Sequence, residues 1–393
     1  MNICLAGPCA PVDLVSVMDI GSRERATTVK GLRGIPVSDL AKVLVELGHE
    51  VTVVTTSDQI LEDMFFTGPN FYMRVIPQRS SAKILGFTLY FREILRIRKS
   101  MKEISSRVDV INVHWTYEFA LATFGLKSRV VITVHDSPWQ VLKTAENPFW
   151  LFRYLMALLV RIFCSRKTFV FVSADLKSKW KNEFRWKKDS HVVPNMQPFQ
   201  SESNIPVPRE AAMRLMVASD SSRRKNVDIV LRTIPLLEQV LNERVEIHFV
   251  GFGLGLHDNL ARTSPKNSKL VSLVWHGYLE RREFKQLLRT ATCLIQPSLV
   301  ESFGLTLLEA FALRVPVICG WNPGATAEIV GDAALVIDMR FETNLCASIV
   351  KILKNESLRI ELIEKGQKRL DKLFSPTVVA NSYLKIFESQ MYD

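Results

Sequence analysis

The stretch of residues 301–317, ESFGLTLLEAFALRVPV, carries two carboxylates, Glu301 and Glu309, around the pair Phe303-Gly304. Leu and Ala recur in it at helical spacing, which predicts a helix from about Phe303 to Leu313. The apolar runs ATCLIQPS before it and VPVICG after it are typical of strands. Glu301 is therefore expected in the loop that opens the helix, and Glu309 on the second turn of the helix.

The start of this helix is a predicted anion site. The first backbone N–H groups of a helix have no partner within it, and the helix dipole favours negative charge there. Gly304 has no side chain, so a phosphate could approach closely. Carboxylates are good partners for sugar hydroxyls. The arrangement would suit a nucleotide sugar, with the diphosphate on the amides, the ribose on one glutamate and the transferred sugar on the other.

Short apolar strands and helical stretches alternate along the chain. VTVVTT (51–56), VVITVHD (130–136) and FVFVS (169–173) are near-continuous apolar runs of the kind that parallel sheets bury on both faces. The pattern lapses in SESNIPVPRE (201–210), which has two prolines and is a predicted linker. It restarts with LMVAS and continues through VEIHFVG and LVSLVWHG.

The alternation indicates an α/β protein with two Rossmann-like domains and parallel sheets. With 393 residues the chain is long enough for two cores. We expect an N-terminal domain over 1–200 and a C-terminal domain over 201–375. The C-terminal helix, 376–393, is expected to pack back toward the N-terminal domain.

Composition narrows the class of protein. A hydrophobic content of 47% and a charged content of 23% are ordinary for a globular protein. The six cysteines are scattered, without metal-ligand spacing, which favours reduced thiols in a cytoplasmic protein over disulfides or zinc. The first residues read as a core strand and not as a secretion signal. The most apolar run, 149–164, is interrupted by Arg153 and Arg161, so we expect a strongly buried helix in preference to membrane contact.

Charge is unevenly distributed between the halves. The net charge is +11, and residues 1–200 hold 27 Lys and Arg against 18 Asp and Glu, or +9. The basic residues cluster in 92–102 and 177–188, although each cluster alone is best explained as a solvated helix face. No nucleic-acid-binding motif accompanies the charge, so nucleic acid is not an expected partner. The basic half could instead meet an anionic membrane surface and bind it reversibly in a salt-sensitive way.

Several motifs together resemble a known family. PSLVESFGLTLLEAFALRVPVI (297–318) resembles the Glu, seven residues, Glu signature of the retaining GT-B glycosyltransferases of "group 1". RGIPVSDLAKVLVELGHEVTVVTT, VITVHD, VVPN, SSRRKNVD, VGFG and WHGYL follow in the order and approximate spacing of that family. The resemblance covers nearly the whole chain and implies a GT-B fold, in which the two Rossmann-like domains face each other.

The resemblance also implies roles for individual residues. Glu309 would hold the ribose and Glu301 the donor sugar, while Lys225 would neutralise the diphosphate leaving group. His135 would lie beneath the anomeric carbon, although a core histidine that ends a strand is the plain alternative. The implied catalytic residues are Glu301, His135 and Lys225. The implied donor-binding residues are Gly34, Arg224, Lys225, Glu301, Ser302, Phe303, Gly304, Leu305 and Glu309.

Three positions depart from the family pattern. Ser219-Asp220 stands where the family has a Gly-Arg pair, so either Arg223 or Arg224 is expected to meet the diphosphate, with Arg224 preferred. Arg33 replaces the first glycine of the N-terminal pair. Arg314 replaces a glycine at a left-handed position, at a cost of ~1 kcal/mol.

The resemblance implies a retaining hexosyltransferase that moves a sugar from a nucleoside-diphosphate sugar to an acceptor. The expected acceptor is lipid-linked or a nascent cell-surface polysaccharide. The expected location is the cytoplasm, either free or peripheral on the inner face of the membrane. No Asp-x-Asp occurs, so neither a metal nor another cofactor is expected. The alternatives are a non-catalytic GT-B-like partner subunit and a sugar-nucleotide epimerase of GT-B shape. A phosphorylase would need a pyridoxal-phosphate lysine, to which no feature points.

Overall fold

The structure, a computed structural model, describes residues 1–29, 34–78, 86–144, 149–197, 213–265, 268–321 and 324–392. The chain forms two compact units, one of 1–199 with 376–393 and one of 200–375. The predicted linker, 201–210, and Arg33 lie outside the described residues.

Unit 1 is built on an eight-stranded sheet with the order β3-β4-β2-β1-β5-β6-β7-β8. All neighbours are parallel except the β3–β4 hairpin. β1 lies between β2 and β5, with Ile3 opposite both Val51 and Val110. The strands are β1 Asn2–Ala6, β2 Glu50–Ser57, β3 Met64–Gly68, β4 Phe71–Pro77, β5 Val110–His114, β6 Val130–Val134, β7 Thr168–Phe171 and β8 His191–Val192.

Eight helices belong to the described part of unit 1. Pro36 lies in the first turn of α2, where a backbone N–H would have no partner within the helix. Gly48 follows the end of α2 with a φ of +84°. The helices are α1 Ile20–Ala26, α2 Ile35–Glu46, α3 Gly86–Ile104, α4 Glu118–Ala122, α5 Pro138–Thr144, α6 Phe149–Phe163, α7 Ala174–Phe184 and the C-terminal Pro376–Tyr392, here α15.

The C-terminal helix α15 packs on unit 1. Tyr383 and Phe387 lie in the same buried cluster as residues of α2 and β1. The Gln390 side chain accepts a hydrogen bond from Thr168 Oγ1 at 2.7 Å. The C-terminal helix therefore completes the core of unit 1, which the N-terminal half of the chain forms.

Helix α6 differs from its predicted environment. It buries only Met156, Ala157 and Val160, whereas six of its other large apolar side chains, beginning with Phe149 and Leu151, are exposed. The expectation of a strongly buried helix was therefore wrong. Hydrophobicity alone predicted burial, and the packing places one apolar side of the helix outward. Among the described residues, no helix combines the length and apolar character needed to cross a membrane.

The second basic cluster, 177–188, covers the end of helix α7 and the turn after it, and its aromatic side is buried. Trp180 and Trp186 are almost fully buried. Trp186 lies 4.4 Å from Phe169 between ring centroids. The aromatic residues of this cluster therefore belong to the core of unit 1, and only its charged side meets solvent.

Unit 2 is a second parallel α/β layer structure, with the strand order β11-β10-β9-β12-β13-β14. Its strands are β9 Met213–Ala218, β10 Val245–Val250, β11 Val271–Gly277, β12 Cys293–Gln296, β13 Val317–Gly320 and β14 Leu335–Ile337. Its helices are α8 Asp228–Val240, α9 Asn259–Thr263, α10 Arg281–Arg289, α11 Leu305–Ala312, α12 Ala325–Val330, α13 Glu342–Lys354 and α14 Glu356–Arg369. The core lies between this sheet and helices α8 and α13. The predicted α/β class with two Rossmann-like parallel sheets is confirmed.

Candidate active site

The start of helix α11 is shaped by Gly304. This residue precedes the helix with φ +92°, a conformation that side chains disfavour. A Cβ atom there would lie 2.9 Å from Leu307 Cδ1 and 3.2 Å from Gln296 Nε2. Phe303 is buried beside it and packs edge-on to Phe374. The helix begins at Leu305, two residues later than predicted, because the chain makes this sharp turn first.

A partly buried ion pair lies next to this turn. Lys225 Nζ donates to Glu301 Oε2 at 2.6 Å, and both side chains are less than 15% exposed. Gln296 Nε2 donates to the same oxygen at 3.2 Å. Gln296 Oε1 is buried without a hydrogen-bond partner among the described residues. The Glu301 carboxylate is thus held by two donors from other elements.

The turn that carries Lys225 is tied to the loop that carries Glu301. Lys225 ends a short 3-10 turn, and Asn226 follows it with φ +53°. The buried Asn226 Nδ2 donates to the carbonyl oxygens of Pro297 and Met339 at 3.2 and 2.9 Å. The backbone of Leu299 also donates to Arg224 O at 2.8 Å. These bonds hold the lysine beside a glutamate that is 76 positions later in the chain.

Lys225, Glu301 and the start of α11 line one cavity of about 350 Å³ in unit 2. It lies at the carboxyl ends of β9, β10 and β12, where open parallel sheets bind ligands. The described residues that line it are Ala218, Ser219, Asp220, Lys225, Val250, Gly251, Phe252, Tyr278, Leu279, Phe284, Gln296, Glu301, Gly304, Leu305 and Thr306.

Two aromatic rings at this cavity were not predicted as site residues. Phe252 and Tyr278 stack with ring centroids 4.6 Å apart and an interplanar angle of 24°. Both rings are partly exposed. Each follows a glycine, Gly251 or Gly277, at the end of one of two neighbouring strands. That shared position was the signal that could have identified them.

The departure at Ser219-Asp220 has a clear structural effect. Asp220 Oδ1 accepts from the Ser222 backbone at 2.9 Å, and Asp220 Oδ2 lies 3.3 Å from Arg224 Nη2. Burial raises the pKa of the Asp220 carboxyl, but the bonds from Ser222 and the charges of Arg224 and Lys225 outweigh it and lower the pKa. Arg224 is therefore paired, and Arg223 is exposed. The cationic side chain among the described residues that line the cavity is that of Lys225.

Glu309 lies on the second turn of α11, as predicted. It is one turn after Leu305, so both residues are on the same side of the helix. Its side chain is only 6% exposed. Arg314, predicted in a left-handed conformation after this helix, has φ +58°.

His135, in unit 1, immediately follows β6 and hydrogen-bonds a second histidine. Its Nε2 lies 2.8 Å from His114 Nδ1, and His114 Nε2 lies 2.9 Å from Asn112 Oδ1. Burial lowers the pKa of His135 to about 4 and holds the pKa of His114 well below its usual range. Both imidazoles are therefore neutral at physiological pH, in a fixed chain of hydrogen bonds.

Gly34, also in unit 1, is required by its contact with the chain after β1. A Cβ atom there would lie 1.8 Å from the carbonyl oxygen of Pro8. The residue precedes α2, and its carbonyl oxygen accepts the first hydrogen bond of that helix, from the Val37 backbone at 2.9 Å.

Of the predicted site residues, the structure brings Lys225, Glu301, Gly304 and Leu305 to one cavity. Ser302 and Phe303 lie in the loop between Glu301 and Gly304, and the Phe303 side chain is buried. His135 and Gly34 belong to unit 1. Within the described ranges, no three His, Cys, Asp or Glu side chains are grouped as metal ligands would be.

Comparison with protein families matches one model to each unit. Residues 201–369 match "Glycosyl transferases group 1", and residues 37–196 match "Glycosyltransferase Family 4". The two matches together span most of the chain. The chain is a glycosyltransferase of the GT-B fold.

Curated relatives are also similar to this glycosyltransferase. N-acetyl-alpha-D-glucosaminyl L-malate synthase of Bacillus anthracis is 22% identical over 92% of the chain and 95% of the relative. Phosphatidyl-myo-inositol mannosyltransferase of Mycolicibacterium smegmatis is 23% identical over 90% and 89%. O-antigen chain mannosyltransferase B of Escherichia coli is 30% identical over 35% of each chain.

Solved structures share the fold of the glycosyltransferase. Sucrose-phosphate synthase from Thermosynechococcus elongatus aligns with a TM-score of 0.72 and 14% identity over 99% of both chains. An alpha,alpha-trehalose-phosphate synthase (UDP-forming) from Burkholderia xenovorans, in complex with glucose-6-phosphate, has a TM-score of 0.72 at 12% identity over 99% of this chain and 100% of that one. These likenesses confirm the GT-B fold.

Proposed function

We propose that this glycosyltransferase moves a sugar from a nucleoside-diphosphate sugar to an acceptor with retention of the anomeric configuration. The observation that carries the proposal is the Lys225–Glu301 pair, which lines one cavity with the start of helix α11. A cation, a set of helix-start amides and a carboxylate are the groups that a sugar diphosphate needs. The diphosphate takes the first two, and the sugar hydroxyls take the third.

Donor binding exchanges the partners of this ion pair. The diphosphate takes Lys225 from Glu301, and the sugar hydroxyls then donate to the carboxylate oxygen that the lysine has left. As the bond from the anomeric carbon to the diphosphate oxygen breaks, negative charge grows on that oxygen. Lys225 and the amides of Leu305 and Thr306 stabilise this charge. The amide of Gln296 keeps Glu301 in position throughout.

The remaining contacts follow from the same placement of the donor. Glu309 holds the ribose hydroxyls, and the Phe252–Tyr278 stack offers an aromatic surface for the base. Asp220, which neutralises Arg224, makes this diphosphate site less positive than one with a free arginine. Lys225 therefore bears the main electrostatic role.

In the proposed reaction the acceptor oxygen attacks the face of the sugar that the leaving group departs from. The acceptor proton passes to the departing diphosphate, so the new glycosidic bond keeps the original configuration. His135, neutral because of its low pKa, is assigned to hydrogen-bond the transferred sugar and not to carry charge. Gly34 is assigned to the approach of backbone amides to the phosphates.

The proposed acceptor is a lipid-linked glycan or a nascent cell-surface polysaccharide. The names of two relatives, an O-antigen chain mannosyltransferase and a phosphatidyl-myo-inositol mannosyltransferase, support this class. The basic N-terminal half supports an anionic or membrane-bound acceptor. We assign the reaction to the cytoplasm on these grounds.

We also propose that catalysis needs no metal, because Lys225 and helix amides supply the charge that a metal would otherwise supply. Turnover should be unchanged after treatment with EDTA and gel filtration. Complete loss of turnover on chelation, with recovery on adding Mg²⁺ or Mn²⁺, would contradict the proposal.

Calorimetric titration with UDP, GDP and ADP tests the proposed function. One of them should bind, and Lys225→Gln should weaken its binding by about tenfold or more because the diphosphate loses its cation. NMR of the product formed from the matching nucleotide sugar should show the donor configuration. Absence of nucleotide binding would favour a non-catalytic partner subunit. Release of an epimerised sugar without an acceptor would favour an epimerase.

A further inference from the structure

Helix α6 turns a row of apolar side chains to solvent. Leu151, Leu155, Leu159 and Ile162, here called the α6 face, recur at intervals of three or four residues and share one side of the helix. All four are exposed, Ile162 by 60%. An exposed contiguous apolar row of this kind marks a surface that something else covers.

The inner side of the same helix holds an arginine next to the buried Met156, Ala157 and Val160. The Arg153 guanidinium lies 3.9 Å from the Tyr117 ring centroid and 4.8 Å from that of Trp115. It also lies 3.8 Å from the buried carboxylate of Glu118. A helix that meets water turns its arginines outward and its leucines inward. α6 instead turns Arg153 inward and the four residues of the α6 face outward, so its outer side is suited to an apolar environment.

The apolar surface continues beyond α6. Phe163, at the end of α6, packs on Phe124 with ring centroids 5.0 Å apart, and both rings are about half exposed. Helix α4, just before Phe124, is joined to α3 by a bond from Arg98 to Ala122 O at 3.3 Å. α3 adds the exposed Phe91 and Leu95. Helices α6 and α3 and the turn after α4 therefore contribute to this surface.

The charges around this surface are basic. Arg92, Lys99 and Lys102 of α3 are exposed, as is Arg166 after α6. α6 has no acidic residue. Of the two acids in α3, Glu93 is buried and Glu103 is paired with Arg74 at 2.6 Å.

We propose that the α6 face, with Phe163, Phe124, Phe91 and Leu95, docks into the headgroup and acyl boundary of an anionic lipid bilayer. The leucines enter the apolar layer, and the basic residues meet the lipid phosphates. A second copy of the chain fits less well, because two basic rims would then face each other. The proposal does not depend on the transfer reaction, since it concerns binding alone.

Co-sedimentation of the full chain with lipid vesicles tests the proposal. Binding should be strong to vesicles of phosphatidylcholine with phosphatidylglycerol and weak to vesicles of phosphatidylcholine alone. The double variant Leu155→Ser/Leu159→Ser should lose about tenfold or more in partitioning, because two leucines no longer leave water. The control Ile20→Ser/Leu61→Ser changes two still more exposed residues of unit 1, one in α1 and one between β2 and β3, and should bind like wild type.

The basic rim is tested separately. Arg92→Gln/Lys99→Gln/Lys102→Gln should lose about a hundredfold in binding to anionic vesicles at low salt, since each charge contributes on the order of a fivefold gain. The residual binding, which comes mainly from the α6 face, should depend on salt less than the binding of the wild type does.

A fluorescent label gives a readout that does not rely on loss of binding. All six native cysteines are buried, so an environment-sensitive thiol dye should react selectively with Leu155→Cys or with the control Leu61→Cys. On addition of anionic vesicles, the dye at position 155 should shift to the blue and the dye at position 61 should not.

Two results would overturn the proposal. One is equal sedimentation of the wild type and the Leu155→Ser/Leu159→Ser variant together with an unshifted dye at position 155. The other is a dimer in analytical ultracentrifugation that this variant abolishes while vesicle binding is unchanged, which would assign the surface to a second copy of the chain.

Discussion

At the scale of single residues, Lys225 and Glu301 satisfy each other before any donor arrives. The ion pair is largely shielded from water, so removing one partner leaves an unpaired charge in a poorly solvated place. A nucleoside diphosphate can supply a new partner for the lysine, whereas only a sugar can supply one for Glu301. The two glutamates of the stretch 301–317 should therefore respond differently to mutation.

Glu301→Ala should leave the affinity for free nucleoside diphosphate unchanged or slightly higher, because Lys225 is released toward the phosphates. Its kcat should fall by about a hundredfold or more, since the transferred sugar loses its carboxylate partner. Glu309→Ala should instead weaken diphosphate binding by about tenfold, because a charge-assisted bond to the ribose is lost. Calorimetry with the cognate nucleotide and steady-state kinetics measure both effects. Equal losses of diphosphate affinity in the two variants would refute this division of roles.

At the scale of secondary structure, the junction between the Glu301 loop and helix α11 depends on one glycine. Two effects act on a side chain at position 304: the positive φ and the contact with Leu307 and Gln296. Gly48 isolates the first effect, because its φ is +84° and an added Cβ would meet no atom within 4 Å.

Gly304→Ala should therefore destabilise the protein more than Gly48→Ala. The control should lose about 1 kcal/mol, the cost of the left-handed conformation. Gly304→Ala should lose about 2–3 kcal/mol and also weaken donor binding, since Gln296 and the first amides of α11 must move. Urea denaturation followed by circular dichroism compares the stabilities, and calorimetry compares nucleotide binding. Indistinguishable variants in both measurements would show that the contact at Gly304 has no effect.

At the scale of the whole molecule, both units contain the same histidine pair. In unit 1, His114 lies opposite Thr133 and bonds His135, two residues further along the neighbouring strand. In unit 2, His248 lies opposite Val274 and bonds His276, again two residues further, at 2.9 Å. The pKa of each of the four imidazoles is lowered, and burial is the largest cause in every case.

This repetition predicts a loss of stability in mild acid. The unfolded chain binds protons at histidine below about pH 6.5, whereas the folded chain does not until the pH approaches the lowered pKa, about 4 for His135. The contribution of these histidines to the free energy of unfolding should therefore fall as the pH drops from about 6.5, by up to ~1.4 kcal/mol per pH unit for each histidine. It should be insensitive to these groups above about pH 7.

His276→Gln should flatten this pH profile, and His191→Gln, at an exposed site, should not. Denaturant unfolding of wild type and both variants between pH 5 and pH 8 provides the comparison, with pH steps of about one unit resolving the slope. Parallel profiles for all three proteins would contradict the prediction.

Local pattern determined much of this protein from the sequence alone. Apolar runs of strand length separated by helical periods led to the α/β class and two parallel sheets, because burial on both faces demands such runs. The same reasoning placed Glu301 in a loop, Glu309 on the second turn of a helix, and Arg314 in a left-handed conformation. These features depend on neighbouring residues, whose spacing the sequence displays directly.

Only the tertiary structure decided which distant groups meet and which side of a helix faces water. Lys225 reaches Glu301 across 76 positions because Asn226 ties two strand ends together. Phe252 stacks on Tyr278 because β10 and β11 are neighbours. The apolar side of α6 faces outward because Arg153 is held among aromatic rings and a buried carboxylate. The sequence shows that α6 has apolar residues on two sides. Only packing against the rest of the fold determines which of these sides is buried.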